Sequence, residues 1–318
     1  CSTDPEQKHR FSLDNTVYGN RAIAVSVSPD GKYLLTRYWD NHSLKRSRTY
    51  CELTELKTGK VLLTNLRDGM RWMPKSNKLY YTVVAPEGND VITLDPVTLK
   101  EEVLLRGIPE QGFSWSPNED FLIYYPREEG VKDEGPLKRI VSPADRIPNT
   151  RGRSFLARYD IASGTSERLT YGNHSTYMQD ISPDGKYLAF TLQEYGGFGV
   201  WHKDAELYMI RLSDGKTYPL SEANSAEGES YHSWSHNNRW LVFSSRRLDG
   251  LYTRPFFTYI DDKGTAHKPF LLPQKNPVKY YKDLLWTYNL PEFIQEKAQV
   301  DTHAVMETMR NTKGIQVK

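Results

Sequence analysis

One stretch constrains the fold more than any other. The run Asp180-Ile181-Ser182-Pro183-Asp184-Gly185-Lys186-Tyr187-Leu188-Ala189-Phe190-Thr191 has recognisable variants beginning at Val27-Ser28-Pro29-Asp30-Gly31, Trp72-Met73-Pro74, Trp115-Ser116-Pro117 and Trp234-Ser235-His236. Five residues past each Pro, or past His236, stands a Leu: Leu34, Leu79, Leu122, Leu188 and Leu241. Two positions further come Thr36, Tyr81, Tyr124, Phe190 and Phe243. Side chains two apart share one face of a strand, so the copies read as strands that bury the same face. The anchors fall 45, 43, 66 and 53 residues apart, and a repeat of about 40 to 50 residues holding several strands marks a propeller blade. The expected fold is all-β: a β-propeller of four-stranded antiparallel blades, with five clear repeats and a sixth blade left open.

Each copy carries the turn chemistry this needs. Asp30-Gly31 and Asp184-Gly185 sit between β-rich runs, where Gly accepts the positive φ of a tight turn without steric cost. Third and fourth strands are joined by comparable short turns at Lys57 to Lys60, Asp95-Pro96, Ala162 to Gly164, Ser213 to Gly215 and Asp262 to Gly264. Antiparallel alternation then puts the tight turns at one end of the blades and the long insertions at the other: Asp40 to Arg48, Arg127 to Arg153, Gln193 to Asp204 and Arg246 to Arg254. Loop-borne function belongs at that second end. Residues 1–20 read as an N-terminal tether, 21–275 as the propeller repeats, and 276–318 as a C-terminal extension packed on the propeller or completing it, in which Asp301 to Arg310 reads either as a short helix or as a frayed tail.

The charge balance, 42 Lys and Arg against 40 Asp and Glu for a net +2, offers nucleic acid no electrostatic handle. No apolar run reaches the roughly 18 residues a bilayer-spanning helix needs. Only Cys1 and Cys51 are present, which excludes a disulfide-dense framework and a four-Cys zinc site. Cys1 precedes the polar stretch Ser2 to Arg10, the pattern of a mature bacterial lipoprotein, so lipidation at Cys1 is expected, with anchoring on the periplasmic or cell-surface side of a bacterial membrane.

No nucleophile elbow, zinc-protease helix, phosphate loop or haem-attachment motif is present. Missing linear motifs lower the expectation of an enzyme without removing it, because propellers build sites from residues far apart in sequence. The most concentrated polar set is Glu229 to Trp234 facing Ser244 to Arg254. Tyr231, His232, Arg246 and Arg247 converge near one rim, with Tyr252 and Arg254 close by; Trp201 and His202 come from the neighbouring insertion. Two readings stand: a pocket for an anionic or carbonyl-bearing ligand, since Arg forks grip carboxylates and His moves protons, or a structural lock in which His232 and Arg246 satisfy backbone groups and Asp249. Of His174, His202, His232 and His236, only the last two are close in sequence, and they lie roughly 13 Å apart along a strand. No metal and no cofactor are expected.

The Pro-Asp-Gly-Lys repeats resemble the WD-like repeats of the TolB-like propellers of bacterial envelopes. From Tyr195 onward the likeness is to TolB-like lipoproteins of Bacteroides-type bacteria. It is carried by Trp201-His202-Lys203-Asp204-Ala205-Glu206-Leu207-Tyr208, Ser230-Tyr231-His232-Ser233-Trp234-Ser235, Gly250-Leu251-Tyr252-Thr253-Arg254-Pro255 and Tyr288-Asn289-Leu290-Pro291-Glu292-Phe293. Some relatives carry a haem-attachment motif that this chain lacks, so electron transfer is not implied. The stretch Gly135 to Phe155 resembles propellers that precede prolyl-oligopeptidase-type hydrolase domains. The resemblance implies a fold, a compartment and envelope-associated binding. The expected function is non-catalytic capture of an envelope protein, peptide or glycan through the loop-rich end. The alternative is a propeller lyase or hydrolase with a site around His232 and Arg246.

Overall fold

A computed structural model describes residues 21–40, 48–65, 69–108, 113–126, 154–171, 175–194 and 199–293. The tether with Cys1, the Arg127 to Arg153 insertion, His174 and the stretch Asp301 to Arg310 lie outside the described residues. The architecture is all-β, with five four-stranded antiparallel sheets, each a sequential meander, as β-propeller blades require. Blade 1 holds β1 (Arg21–Val27), β2 (Tyr33–Asp40), β3 (Arg48–Glu55) and β4 (Val61–Asn65). Blade 2 holds β5 (Arg71–Trp72), β6 (Leu79–Ala85), β7 (Gly88–Leu94) and β8 (Glu101–Ile108). Blade 3 holds β9 (Phe113–Trp115), β10 (Phe121–Tyr124), β11 (Ala157–Asp160) and β12 (Ser166–Arg168). Blade 4 holds β13 (Ser175–Ile181), β14 (Tyr187–Gln193), β15 (Glu206–Arg211) and β16 (Lys216–Pro219), and blade 5 holds β17 (Glu229–Trp234), β18 (Trp240–Ser245), β19 (Arg254–Tyr259) and β20 (Phe270–Leu271). After β20 comes helix α1 (Pro277–Asp283) and an extended run to Phe293, with no further strand among the described residues.

The chain divides into two compact units, Cys1–Gln111 with Glu296–Lys318, and Gly112–Gln295. The first holds blades 1 and 2, the second blades 3 to 5. In the first unit Tyr33, Leu35, Cys51 and Leu53 of blade 1 pack on Met70, Leu79, Tyr81 and Leu94 of blade 2. In the second, Leu188, Phe190 and Ile210 of blade 4 meet Phe121, Ile123 and Leu156 of blade 3, while Ala189, Leu207 and Met209 meet Leu241, Phe243 and Phe256 of blade 5. The repeated Leu is fully buried at Leu79, Leu122, Leu188 and Leu241. Leu34, in the first blade of its unit, is only partly buried.

The repeat motif is a hydrogen-bonding device. Its Ser is buried at Ser28, Ser116, Ser182 and Ser235. Ser182 Oγ accepts from Tyr187 N at 3.0 Å and donates to Asp184 Oδ1 at 2.7 Å. Ser28, Ser116 and Ser235 repeat this with Tyr33 N and Asp30, Phe121 N and Asp120, and Trp240 N and Asn237. The hydroxyl thus ties the turn to the start of the second strand. Blade 2 has Met73 in place of the Ser and keeps only the backbone bond, Met73 N to Lys78 O at 2.8 Å. A second device joins successive blades and occurs in both units. Trp72 Nε1 donates to Ser26 O at 3.4 Å, and Trp234 Nε1 to Asp180 O at 3.2 Å. Asn77 Oδ1 accepts from Asp30 N, and Asn238 Oδ1 from Asp184 N, each at 2.8 Å. Both Asn residues adopt positive φ, 56° and 61°, a conformation that Asn tolerates better than most side chains.

Candidate functional site

All the candidate binding residues belong to the second unit. The inner strand β17 carries a bulge between Ser230 and Ser233 that places Tyr231 at φ 50°. Bulges bend a strand and re-aim its side chains. β13 has a bulge at the corresponding place, between Tyr177 and Asp180, so register makes His232 the counterpart of Gln179. Gln179 Nε2 donates to the carbonyl of Ile123 in blade 3 at 3.3 Å. His232 faces the equivalent carbonyl of blade 4, Ala189, and its ring is buried. Neither ring nitrogen closes a hydrogen bond of good geometry. Burial pushes the imidazole down to about 4, against a smaller opposing effect of the Ala189 carbonyl, so the ring is neutral at physiological pH.

Arg247 and Arg254 are occupied internally. Glu229, fully buried at the head of β17, accepts from Ser225 Oγ at 2.6 Å, Ser245 Oγ at 2.8 Å and Arg247 Nη2 at 3.0 Å. Its pKa is raised by burial, which outweighs those three partners. Arg247 also donates to the Ala223 carbonyl and lies 4.6 Å over the Phe256 ring, so its planar group is sandwiched between a carboxylate and an aromatic face. Arg254, fully buried at the start of β19, reaches the carbonyls of Leu284 and Trp286 and stacks 5.0 Å over Tyr252. It is a bracket for the segment after α1. Asp249 stands 3.8 Å from it and accepts from Leu251 N and Tyr252 N, closing the turn before β19.

The remaining candidates lie at the insertion-bearing ends of blades 4 and 5. The backbone of Gly199–Trp201 forms a 3-10 turn, and His202 follows, buried, with Nδ1 3.7 Å from Asp204 Oδ1. That contact, more than any other, holds the Asp204 carboxyl below its ordinary range. Asp204 Oδ2 accepts from Glu194 N at 2.6 Å, pinning the base of the insertion. Gly228 packs so tightly here that a Cβ would stand 1.9 Å from the His202 carbonyl oxygen. Lys203 pairs with Glu227 at 3.0 Å, and Glu227 with Asp249 also acts on the half-buried Arg246, partly offsetting the desolvation that lowers its pKa. The structure therefore gathers His202, Lys203, Glu227 and Arg246 at one edge, with the partly exposed Tyr231 on the adjoining inner strand. His232, Arg247 and Arg254 sit inside the walls. Glu229 and Asp180, a carboxyl pushed up to about 6 by burial, stand in stretches that the sequence singles out, but sequence reasoning gave neither a role. The signal for each was an acid inside a strand that otherwise buries its neighbours.

No family model matches the chain, and no curated protein matches it. Solved structures that do match place it among β-propellers. A TolB of Agrobacterium tumefaciens superposes with TM-score 0.50 at 18% identity, over 78% of this chain and 79% of that one. An oligogalacturonate lyase in complex with manganese gives 0.54 at 18% identity, over 78% and 64%, and an acylaminoacyl peptidase of Pyrococcus horikoshii 0.51 at 10%, over 78% and 38%. The chain thus spans under two thirds of the length of the latter two. At such identities the likeness is one of fold.

Proposed function

We propose that the chain is a non-catalytic, envelope-side propeller that captures a protein, peptide or glycan through the edge formed by His202, Lys203, Glu227, Arg246 and Tyr231. Membrane attachment through a lipidated Cys1 belongs to the same reading, as does placement on the periplasmic or cell-surface side; among the described residues no helix is long and apolar enough to cross a membrane. The observation that carries it is the internal use of the strongest candidate groups. Arg247 is committed to Glu229, Arg254 to the Leu284 and Trp286 carbonyls, and His232 is buried as a neutral ring. What remains at the surface is a mixed-charge, loop-borne rim of Lys203, Glu227, Arg246 and Tyr231 with His202 buried at its base, suited to recognition rather than bond breaking. A solved TolB and a solved lyase share the fold, so the fold itself favours neither binding nor catalysis. The second reading, a lyase or hydrolase using His232 with Arg246, is favoured by one observation: an unpartnered buried imidazole beside a residue at positive φ.

Capture from envelope extract by the wild-type chain, compared with Arg246→Glu and with Lys263→Glu in the β19–β20 turn, separates the possibilities. Loss of capture with Arg246→Glu alone supports the rim. Equal capture by all three removes the rim from the reading. Cleavage of a polyuronate or peptide panel that disappears in His232→Gln replaces binding with catalysis.

A further inference from the structure

The exposed apolar residues of the second unit are unevenly placed. Val278, Leu285, Trp286 and Leu290 are exposed at 79%, 73%, 75% and 67%, all within a short stretch around and after α1. Leu251, in the turn leading to Thr253, is also exposed. Nothing in folding favours leaving so much apolar surface in water, and clustered exposure of this kind marks an interaction site.

The backbone beneath these side chains is held rigidly. Arg254 grips the carbonyls of Leu284 and Trp286, Tyr288 N donates to Thr253 O at 3.1 Å, and Ser244 Oγ reaches the carbonyls of Tyr288 and Asn289. Thr253 Oγ1 donates to Asn289 Oδ1 at 2.6 Å. The gripped carbonyls at 284 and 286 are two apart, and Leu284 is extended. The segment is therefore fixed along one edge, and consecutive side chains such as Leu285 and Trp286 leave it on opposite faces. The result is a ridge, flanked by an open concavity of about 460 Å³ lined by Lys275, Lys279, Tyr280, Asp283 and Leu284. Beside it α1 buries none of its residues. Lys275, Lys279 and Lys282 stand exposed around it, with Asp283 the one acid beside them on α1 and Glu292 a second at the far end of the ridge. Tyr280 and Tyr288 share a hydroxyl hydrogen bond of 2.7 Å at the junction of helix and ridge.

We propose that α1 and the ridge dock on an anionic lipid surface, with Leu285, Trp286 and Leu290 entering the interfacial layer and the three lysines meeting the headgroups. Trp and Tyr, each apolar with one polar atom, favour that boundary, and each basic residue near an anionic surface adds attraction that falls off within a Debye length. A protein partner needs a shaped complement to a narrow ridge exposed on both faces, whereas a fluid bilayer does not. The inference is independent of the rim proposed above and of acylation at Cys1.

The test uses the full chain produced without acylation, sedimented with vesicles of phosphatidylethanolamine and phosphatidylglycerol or of phosphatidylcholine alone. Wild type is expected to bind the anionic vesicles and to bind the neutral ones several-fold more weakly. Raising NaCl from about 0.05 to about 0.5 M should release it. Leu285→Ser with Trp286→Ser is expected to reduce partitioning at least about tenfold, while Val84→Ser, an equally exposed apolar site in blade 2, changes nothing. Lys275, Lys279 and Lys282 replaced by Glu leave the ridge intact and should abolish the preference for anionic lipid; unchanged thermal midpoints verify both folds. Failure of the wild type to sediment overturns the proposal. So does a ridge variant that sediments like wild type, or one that loses only a captured protein, which assigns the ridge to a protein partner.

Discussion

His232 and Gln179 occupy the same register position in consecutive blades, yet only Gln179 closes its bond to the preceding blade's carbonyl. The difference is visible in pH dependence. His232 has a folded pKa of about 4, below its ordinary 6.5, so between these values the unfolded chain takes up a proton that the folded one excludes. Its contribution is intact above pH 6.5 and is lost as pH falls toward 4, by about 3 kcal/mol at most. Asp180 acts oppositely: its carboxyl is pushed up to about 6 from 3.8, so the stability it contributes is present in acid and is lost as pH rises through 6. The two slopes largely cancel between pH 4 and 6. His232→Gln is expected to be near neutral at pH 7 and to be more stable than wild type by about 2 to 3 kcal/mol at pH 4.5, measured by urea unfolding at both pH values. At Gly228 the constraint is steric. Gly228→Ala places a methyl against the His202 carbonyl and should cost at least about 3 kcal/mol by overpacking against backbone, read as a lowered Tm. Neither effect was legible in the sequence, because a lone His or Gly in a loop-flanked strand looks alike whether it faces solvent or a neighbouring blade.

Within one blade the repeated Ser-Pro-Asp-Gly turn decides how the second strand begins. Ser182→Ala removes the acceptor for Tyr187 N and strands that N–H in a partly buried setting, so a loss of about 1 to 2 kcal/mol is expected by chemical denaturation. The same change at Ser76, exposed in the blade 2 turn where its hydroxyl donates to the weak thioether acceptor of Met73 at 3.6 Å, should cost much less. Arg254 does for the C-terminal segment what the Ser does for the turn. Arg254→Met keeps the apolar volume but frees the carbonyls of Leu284 and Trp286; hydrogen exchange at Tyr288, whose amide bonds to Thr253, should accelerate at least about tenfold, the equivalent of about 1.4 kcal/mol of local opening. Sequence reasoning found Arg254 but assigned it to a ligand, because a buried guanidinium and a surface one share the same neighbours in the chain.

For the molecule as a whole, the Arg127 to Arg153 insertion is held shut at its base, where Phe155 N donates to Pro126 O at 3.1 Å and Tyr124 pairs with Ala157. Replacing it with a short Gly-Ser linker is expected to shift Tm by less than about 2 °C, since loop closure depends only weakly on length. Calorimetry checks this, and a larger fall would show that the insertion packs into the blades. What the sequence determined is the local and repeated part: strand periodicity, Gly at positive-φ turns, and the Leu and aromatic positions that bury one face per strand. These depend on neighbours a few residues away, and they sufficed for five blades of the expected class. What only the tertiary structure decided is which polar side chains face outward. Arg246 and Arg247 are adjacent in the chain, but one lies toward the rim and the other inside the Glu229 network. That choice rests on burial and charge pairing across strands far apart in sequence, for which the local residue pattern carries no record.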